Sequence, residues 1–216
     1  MNDRVTEDEL RAQIVEVTKI LAEEGLIRSS DGNISVRMGD RLLITPSGVY
    51  KRALAPEQMV VVDLTGEVLD APEGLGPTSE LLMHLEVYRQ RGDVGAVLHA
   101  HPPYATALTV SEAPFPIDVI PEVLLTLGDV PTAPYATPGT QDLADSIRDS
   151  IGEYDAVLLS HHGSLTVGET LEEALIALER VEHVAQTFIL ARGLGGAERL
   201  PAEEVARLRA MGKRVG

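Results

Sequence analysis

Four histidines stand at the ends of two apolar runs in this chain of 216 residues. His99 and His101 close the first run, and His161 and His162 close the second. Side chains two residues apart on a strand project from the same face, so His99 and His101 can offer two imidazoles to one ion. Adjacent residues point to opposite faces, so only one member of the second pair can join them. This spacing predicts a metal centre built on strands.

A glutamate upstream of these histidines is a candidate fourth ligand and base. Glu80 lies on the helix predicted to lead into the first histidine strand. Three imidazoles and one carboxylate oxygen suit zinc, and such a site is catalytic when one coordination position can open. A glutamate in a first helical turn is also favoured by the helix dipole alone. Its place before the histidine strand favours the catalytic role.

Two further histidines lie within predicted helices. His84 stands among leucines, and His183 is on the long helix near the end of the chain. A lone histidine on a helix is more often a packed or surface residue than a metal ligand. We therefore interpret both as structural.

Composition excludes several classes of function. The chain has 18 basic and 34 acidic residues and a formal charge of -16, whereas nucleic-acid binding needs clustered lysine and arginine, so no nucleic-acid partner is expected. It has no cysteine, so a metal must be held by histidine and carboxylate. A Schiff-base lysine needs desolvation, and none of the three lysines, Lys19, Lys51 and Lys213, lies in an apolar strand. Carbonyl chemistry would therefore be metal-based.

Length and hydrophobicity predict one domain. The chain is 44% hydrophobic with a mean hydropathy of +0.04, and it can bury a sizeable core, so we expect a single domain over residues 1–216. Segment 1–9 is charged and lacks the apolar run of a signal peptide, and no apolar stretch reaches the length of a membrane span. We expect a cytoplasmic protein with no membrane partner.

The first half of the chain predicts a helix followed by two hairpins. Thr6 and Glu9 form a capping box before a run with helical spacing, which Gly25 ends. Turn residues then separate strands that pair locally, at 34–45 and at 60–70. Strands that pair in this way are antiparallel.

The second half alternates helices with strands. Thr78 or Ser79 is predicted to cap a helix that runs to about residue 91 and leads into the histidine strand 94–101. The other predicted elements are a short helix at 104–110, short strands at 117–120 and 130–134, a helix at 140–151 capped by Thr140, strands at 156–160 and 164–167, a long helix at 171–191 and a last helix from Pro201. The alternation predicts a central sheet covered on both faces by helices.

Five motifs occur together in a fixed order. They are Gly32-Asn33-Ile34-Ser35-Val36-Arg37, Thr45-Pro46-Ser47-Gly48, Thr78-Ser79-Glu80, His99-Ala100-His101 and His161-His162-Gly163. With this set the chain resembles the class II aldolase/adducin family from about its first helix to Ala191. The resemblance implies an α/β fold, a three-layer α/β/α sandwich with a central, mostly antiparallel mixed sheet. It also implies a homotetramer with active sites at subunit interfaces.

The resemblance implies a reaction and the residues that perform it. It is the reversible, zinc-dependent cleavage of a ketose 1-phosphate, of the L-fuculose 1-phosphate type, to dihydroxyacetone phosphate and an aldehyde. His99, His101 and His162 match the ligands of one zinc ion per subunit, and Co²⁺ or Mn²⁺ also suits such a site. Glu80 matches the acid/base, and nearby apolar walls would move its pKa towards neutrality.

A phosphorylated sugar is the partner that the resemblance implies. The residues that match the family's phosphate-binding positions are Asn33, Ser47, Gly48, Thr78 and Ser79. Without the resemblance these are turn and cap residues. Hydroxyls, amides of glycine-containing turns and the N–H groups of a helix N-terminus can together hold a phosphate dianion without any lysine.

Other activities of the same family are alternatives. Its fuculose-phosphate aldolases place a tyrosine near the segment that corresponds to 117–121, and this chain has no tyrosine there. Candidates to replace it are Tyr104, Tyr135, Asp118 and Glu122. A pentulose-phosphate 4-epimerase and a sugar-phosphate dehydratase share the zinc ligands, although the epimerase usually has aspartate where this chain has Glu80. A non-catalytic, adducin-like binding module typically lacks the histidines.

Overall fold

The computed structural model describes residues 5–111 and 113–212. Within these ranges the chain forms seven α-helices and eight β-strands. The helices are α1 (Glu7–Glu23), α2 (Leu81–Gln90), α3 (Pro103–Val110), α4 (Pro121–Thr126), α5 (Gln141–Ile151), α6 (Leu171–Gly193) and α7 (Ala202–Gly212). The strands are β1 (Asn33–Met38), β2 (Arg41–Ile44), β3 (Val60–Asp63), β4 (Val68–Asp70), β5 (Ala96–Ala100), β6 (Thr132–Ala133), β7 (Ala156–Leu159) and β8 (Gly163–Gly168).

All of these strands lie in one sheet, in the order β4-β3-β2-β1-β5-β8-β7-β6. Neighbouring strands are antiparallel except β6 and β7, which are parallel. The predicted hairpins are β1 with β2 and β3 with β4, and the expected mostly antiparallel mixed sheet is confirmed. At the centre, β1 pairs with β5 so that Asn33 stands opposite His99. The last residues of β5 and the first residues of β1 therefore lie side by side, where these two central strands end.

Helices cover both faces of this sheet. Leu98 of β5 packs into a core with Ile14 of α1 and Leu178 of α6. The preceding residue, Val97, packs into a second core with Ile147 of α5. Because successive side chains of a strand point to opposite faces, one strand supplies both cores. The predicted α/β/α sandwich is confirmed.

The first helix begins as the capping box predicts. Thr6 Oγ1 accepts a hydrogen bond from the Glu9 amide at 3.3 Å, and the Thr6 amide donates to Glu9 Oε2 at 2.7 Å. These two bonds satisfy N–H groups that the helix itself leaves unpaired. None of the helices in the described ranges combines the length and the apolar character that crossing a bilayer requires.

Three local predictions are wrong. Residues 117–120 form no strand, because the chain turns there and then enters α4 with Pro121 in its first turn. At α2, the residue at the N-cap is Glu80, not Thr78 or Ser79. Thr140 does stand at the N-cap of α5, but its hydroxyl donates to the Thr137 carbonyl at 2.7 Å instead of capping the helix.

Candidate metal centre and active site

Three histidines converge where the central strand β5 ends. His99 is on β5, His101 follows its last residue, and His162 lies in the turn between β7 and β8. The Nε2 atoms of His99 and His101 are 3.0 Å apart. One ring nitrogen from each of the three histidines lies within 4.8 Å of the others. The structure thus gathers the three predicted ligands into a cluster that could hold a metal ion.

The protonation of His99 suits a ligand. Its Nδ1 lies 2.9 Å from the Ser164 carbonyl oxygen, which can only accept a hydrogen bond, so Nδ1 carries the proton. Its Nε2 is therefore the ring atom left to bind a metal ion, and this atom lies 3.1 Å from Glu80 Oε2. An ion held by the three imidazoles would also lie close to this buried carboxylate. The donor set accordingly fits a divalent metal of the zinc type.

The second histidine pair is divided by the backbone. His161 has φ of +56° and is exposed, whereas His162 turns into the cluster. Gly163 permits the close approach, because a Cβ there would stand 2.3 Å from the Ala100 carbonyl oxygen. The prediction that one member of the pair joins the cluster is confirmed, but the cause is a tight turn and not strand alternation.

Glu80 lies against this cluster and is 7% exposed. Its Oε2 accepts a hydrogen bond from Asn33 Nδ2 at 2.9 Å. Its Oε1 is buried, has no hydrogen-bond partner among the described residues, and lies 3.4 Å from His162 Nε2. Oε1 is thus the Glu80 oxygen that can take up a proton without giving up a hydrogen bond.

The pKa of Glu80 does not move as predicted. Burial raises it, but the adjacent His99 and the hydrogen bond from Asn33 lower it by more, so the pKa lies well below its usual value. The expectation of a pKa near neutrality is therefore wrong for the site without its ion. The sequence showed the apolar neighbours but gave no sign of the Asn33 contact.

The other two histidines of the cluster are neutral at neutral pH. Burial, followed by the neighbouring His99, lowers the pKa of His101 and of His162 to about 4. A histidine binds a metal through the lone pair of its neutral ring. Both side chains can therefore act as ligands without first losing a proton.

A two-residue bridge places the candidate phosphate-binding segments side by side. Pro46 pairs with Pro77, the Ser47 amide donates to the Gly76 carbonyl at 3.0 Å, and the Thr78 amide donates to the Thr45 carbonyl at 3.1 Å. Segments 47–48 and 78–79 are thus held together next to Glu80. Ser47, Gly48 and Ser79 are exposed there. Gly48 has φ of +71° and open space where a Cβ would stand, so a ligand can approach its backbone.

The amino end of α2 offers fewer free amides than the sequence indicates. The Thr78 amide is used by the bridge, the Glu80 amide donates to Thr78 Oγ1 at 3.3 Å, and the Leu81 amide donates to the Thr78 carbonyl at 3.2 Å. An anion bound beside the amino end of α2 would therefore depend mainly on hydroxyls and on the turn at 47–48.

One lysine and one histidine are placed differently from expectation. Lys51 is 3% exposed, and its Nζ lies 3.4 Å from the Pro46 carbonyl oxygen. Burial lowers its pKa, partly offset by Asp31. His84 is fully buried and bonds to Asn33, so it belongs to the site and is not merely packed. Nothing local in the sequence signals either contact, and Lys213 lies outside the described residues.

The candidates to replace the family's tyrosine are dispersed. The Tyr135 ring is exposed and packs edge-on against His161, with ring centroids 6.2 Å apart. Asp118 forms an ion pair with Arg199. Glu122 lies in the first turn of α4, and Tyr104 lies at the start of α3. Of the four, Tyr135 is the one that contacts the turn carrying His162.

The chain is similar in sequence and fold to known proteins. The family model of the class II aldolase and adducin N-terminal domain matches residues 12–189. A 5-methylthioribulose-1-phosphate/5-deoxyribulose-1-phosphate aldolase of Rhodospirillum rubrum is 34% identical over 92% of this chain and 89% of its own. An L-fuculose phosphate aldolase of Haemophilus influenzae is 35% identical over 84% of this chain and 82% of its own. The crystal structure of L-fuculose-1-phosphate aldolase from Thermus thermophilus has a TM-score of 0.76 at 36% identity and covers 89% of this chain and 98% of that one. The chain therefore belongs to the class II aldolase and adducin family.

Proposed function

We propose that this protein is a zinc-dependent aldolase that cleaves a ketose 1-phosphate reversibly to dihydroxyacetone phosphate and an aldehyde. The observation that carries the proposal is the convergence of three imidazoles with a carboxylate whose Oε1 is buried and has no hydrogen-bond partner among the described residues. The names of the Rhodospirillum rubrum and Thermus thermophilus aldolases give ketose 1-phosphates as substrates. The proposed substrate is a sugar of the L-fuculose 1-phosphate type, and 5-deoxypentulose 1-phosphates are candidates beside it.

His99, His101 and His162 would hold one divalent ion per subunit, with zinc favoured by the three-nitrogen donor set. When bound, such an ion supplies Lewis-acid stabilisation of the negative charge that develops as the C3–C4 bond breaks. The Ser164 carbonyl oxygen keeps the His99 ring in the required tautomer. Co²⁺ and Mn²⁺ are also compatible with these ligands.

Glu80 is the residue placed to move the proton. In cleavage, the C4 hydroxyl would pass its proton to Glu80, the electron pair of the C3–C4 bond would remain on C3, and C3 would then take the proton from Glu80. Glu80 Oε2 is held by Asn33 and lies beside His99, whereas Oε1 has no hydrogen-bond partner among the described residues. A fixed carboxylate with one free oxygen can donate to C3 in cleavage and remove the same proton in the reverse direction.

The phosphate would be bound by residues at the joined segments. Ser47, Gly48, Thr78 and Ser79 provide hydroxyls and a turn amide, and Asn33 provides the remaining hydrogen of its amide group. Replacing Ser47 by Ala should raise KM about tenfold for a phosphorylated ketose, since a hydrogen bond to a charged group is lost. The unphosphorylated ketose should show no such change. An equal effect on both ketoses would remove Ser47 from the phosphate site.

We expect a homotetramer whose active sites lie at subunit interfaces. Large apolar side chains such as Val110, Tyr135 and Leu190 are more than half exposed in the isolated chain, so covering them with another subunit would remove apolar surface from water. Light scattering should give four times the chain mass of 23.2 kDa. A monomer with full activity would contradict sites completed by a neighbour.

The test of the function is a panel of ketose 1-phosphates and 5-phosphates, assayed for dihydroxyacetone phosphate. L-Fuculose 1-phosphate, 5-deoxyribulose 1-phosphate and 5-methylthioribulose 1-phosphate belong in it. Release from one or more 1-phosphates is the expected result. Interconversion of pentulose 5-phosphates without release would indicate the epimerase, and loss of water would indicate the dehydratase. Metal-free protein that binds ligands without turnover would indicate the adducin-like module.

A further inference from the structure

A buried chain of hydrogen bonds runs from Glu80 into the core between β1 and α2. Asn33 bridges two groups: its Nδ2 lies 2.9 Å from Glu80 Oε2, and its Oδ1 lies 2.5 Å from His84 Nε2. His84 Nδ1 in turn lies 2.7 Å from Ser35 Oγ. The Tyr88 hydroxyl closes the chain by donating to the Ser35 carbonyl at 3.0 Å. Asn33, Ser35 and His84 are each 5% exposed or less.

The direction of each bond is determined from the Glu80 end. A carboxylate oxygen accepts, so the Asn33 amide must point Nδ2 at Glu80 and Oδ1 at His84. The amide oxygen also accepts, so His84 must carry its proton on Nε2. Its Nδ1 then accepts from the Ser35 hydroxyl. One arrangement of protons therefore satisfies every hydrogen bond from the Ser35 hydroxyl to Glu80 Oε2.

The charge state of His84 supports this arrangement. Burial lowers its pKa to about 3, with a further contribution from His99 and a partial offset from Glu80. The ring is neutral at neutral pH and has one N–H to donate. Without that donor, a half-turn of the Asn33 side-chain amide would bring its oxygen against the Glu80 carboxylate, where two acceptors repel.

We propose that His84 is a positioning residue of the active site, whose Nε2 hydrogen bond orients the Asn33 amide and thereby fixes the Glu80 carboxylate with Oε1 facing the substrate. His84 does not touch the cluster of metal-ligand nitrogens or the reacting atoms, and it acts through Asn33. The activity test of this role rests on the proposed aldolase function. The spectroscopic test does not.

The activity test compares two variants of equal shape. His84→Gln keeps a side-chain N–H that can reach Asn33 Oδ1, whereas His84→Met has the same length and no donor. We expect kcat to fall about tenfold or more in His84→Met and to stay within about threefold of wild type in His84→Gln, as for other groups that orient a catalytic side chain. Zinc content should be unchanged in both, and KM should stay at the wild-type value in His84→Gln. His183→Gln, at an exposed position of α6, is the control.

Two results would overturn the proposal. One is an equal loss of kcat in His84→Met and His84→Gln at equal thermal stability, which would make the role of His84 one of packing. The other is spectroscopic: in ¹⁵N-histidine-labelled wild type, the His84 signal, assigned by its loss in His84→Gln, must report the Nε2–H tautomer. An Nδ1–H tautomer contradicts the bond to Asn33 even if no sugar phosphate of the panel is cleaved. Inactive wild type with the Nε2–H tautomer would reject the aldolase function alone.

Discussion

Glu80 combines one restrained oxygen with one free oxygen. Oε2 is bonded to Asn33, and Oε1 is buried beside His162. Replacing Glu80 by Gln keeps the size of the side chain and removes its capacity to take up and return a proton. Turnover should fall by about 10²- to 10⁴-fold, the usual contribution of a general acid–base. Zinc content and fold should be retained, because three histidines remain.

A second buried glutamate provides the control. Glu86 lies on the same helix, is 2% exposed, and pairs with Arg148 at 2.6 Å. Glu86→Gln should lower stability and leave turnover within about twofold, because it is remote from the reacting atoms. If Glu80→Gln retained wild-type turnover, the assignment of Glu80 as the proton carrier would be rejected.

Part of the site could be predicted residue by residue, and part could not. The spacing of His99 and His101 predicts two convergent rings because strand geometry has a period of two. His84 has no such local signal, since its partner Asn33 is 51 positions away in the chain. Lys51 is similar, because its burial follows from how the turn at Pro46 folds over it. Contacts between distant segments are not contained in local patterns.

At the scale of elements, the hairpin of β7 and β8 holds His162 against β5. Gly163 begins β8, and a Cβ there would stand 2.3 Å from the Ala100 carbonyl oxygen and 2.8 Å from His101 Cδ2. Gly163→Ala should therefore force β8 away from β5. We expect a loss of stability of about 2 kcal/mol and a zinc affinity at least about tenfold weaker. Denaturant unfolding and competition with a chelator measure the two effects.

The matched control is a glycine with free space. A Cβ on Gly92 would meet nothing within 4 Å, so Gly92→Ala should change stability by less than about 0.5 kcal/mol and leave zinc affinity unchanged. Equal behaviour of the two variants would show that the spacing of β5 and β8 does not set the metal geometry.

Elements with a strong local signature were predictable, and weak ones were not. The capping box of Thr6 and the turn residues of the two hairpins determine structure within a few positions. Segment 117–120 is predicted as a short strand, yet the chain turns there, Pro121 favours the first turn of a helix, and α4 packs on α6 and α7. Tertiary packing there outweighs local β propensity.

At the scale of the whole molecule, the buried His84 makes the free energy of unfolding depend on pH. His84 has a folded pKa of about 3 and an unfolded value near 6.5. Between these values the unfolded chain binds a proton that the folded chain does not, so the free energy of unfolding falls as pH falls. In metal-free protein, protonation of His84 in the unfolded chain should lower the free energy of unfolding by about 2 kcal/mol between about pH 7.5 and about pH 5.

Urea unfolding at the two pH values tests this linkage. His101 and His162 have lowered pKa values and contribute in the same direction. Between the two pH values, the free energy of unfolding of His84→Met should fall by about 2 kcal/mol less than that of wild type. That of His183→Gln should fall as in wild type. A His84→Met protein with the full loss would show that His84 is not held neutral in the fold.

The central claim is that three histidines hold one ion per chain on which carbon–carbon cleavage depends. The most direct measurement strips the metal with a chelator, returns zinc in steps, and records bound zinc and dihydroxyacetone phosphate release on the same sample. We expect no release without metal and a linear rise in release that ends at one zinc per chain. Full release from the stripped protein, or one bound zinc per chain without release from any ketose 1-phosphate of the panel, would contradict it.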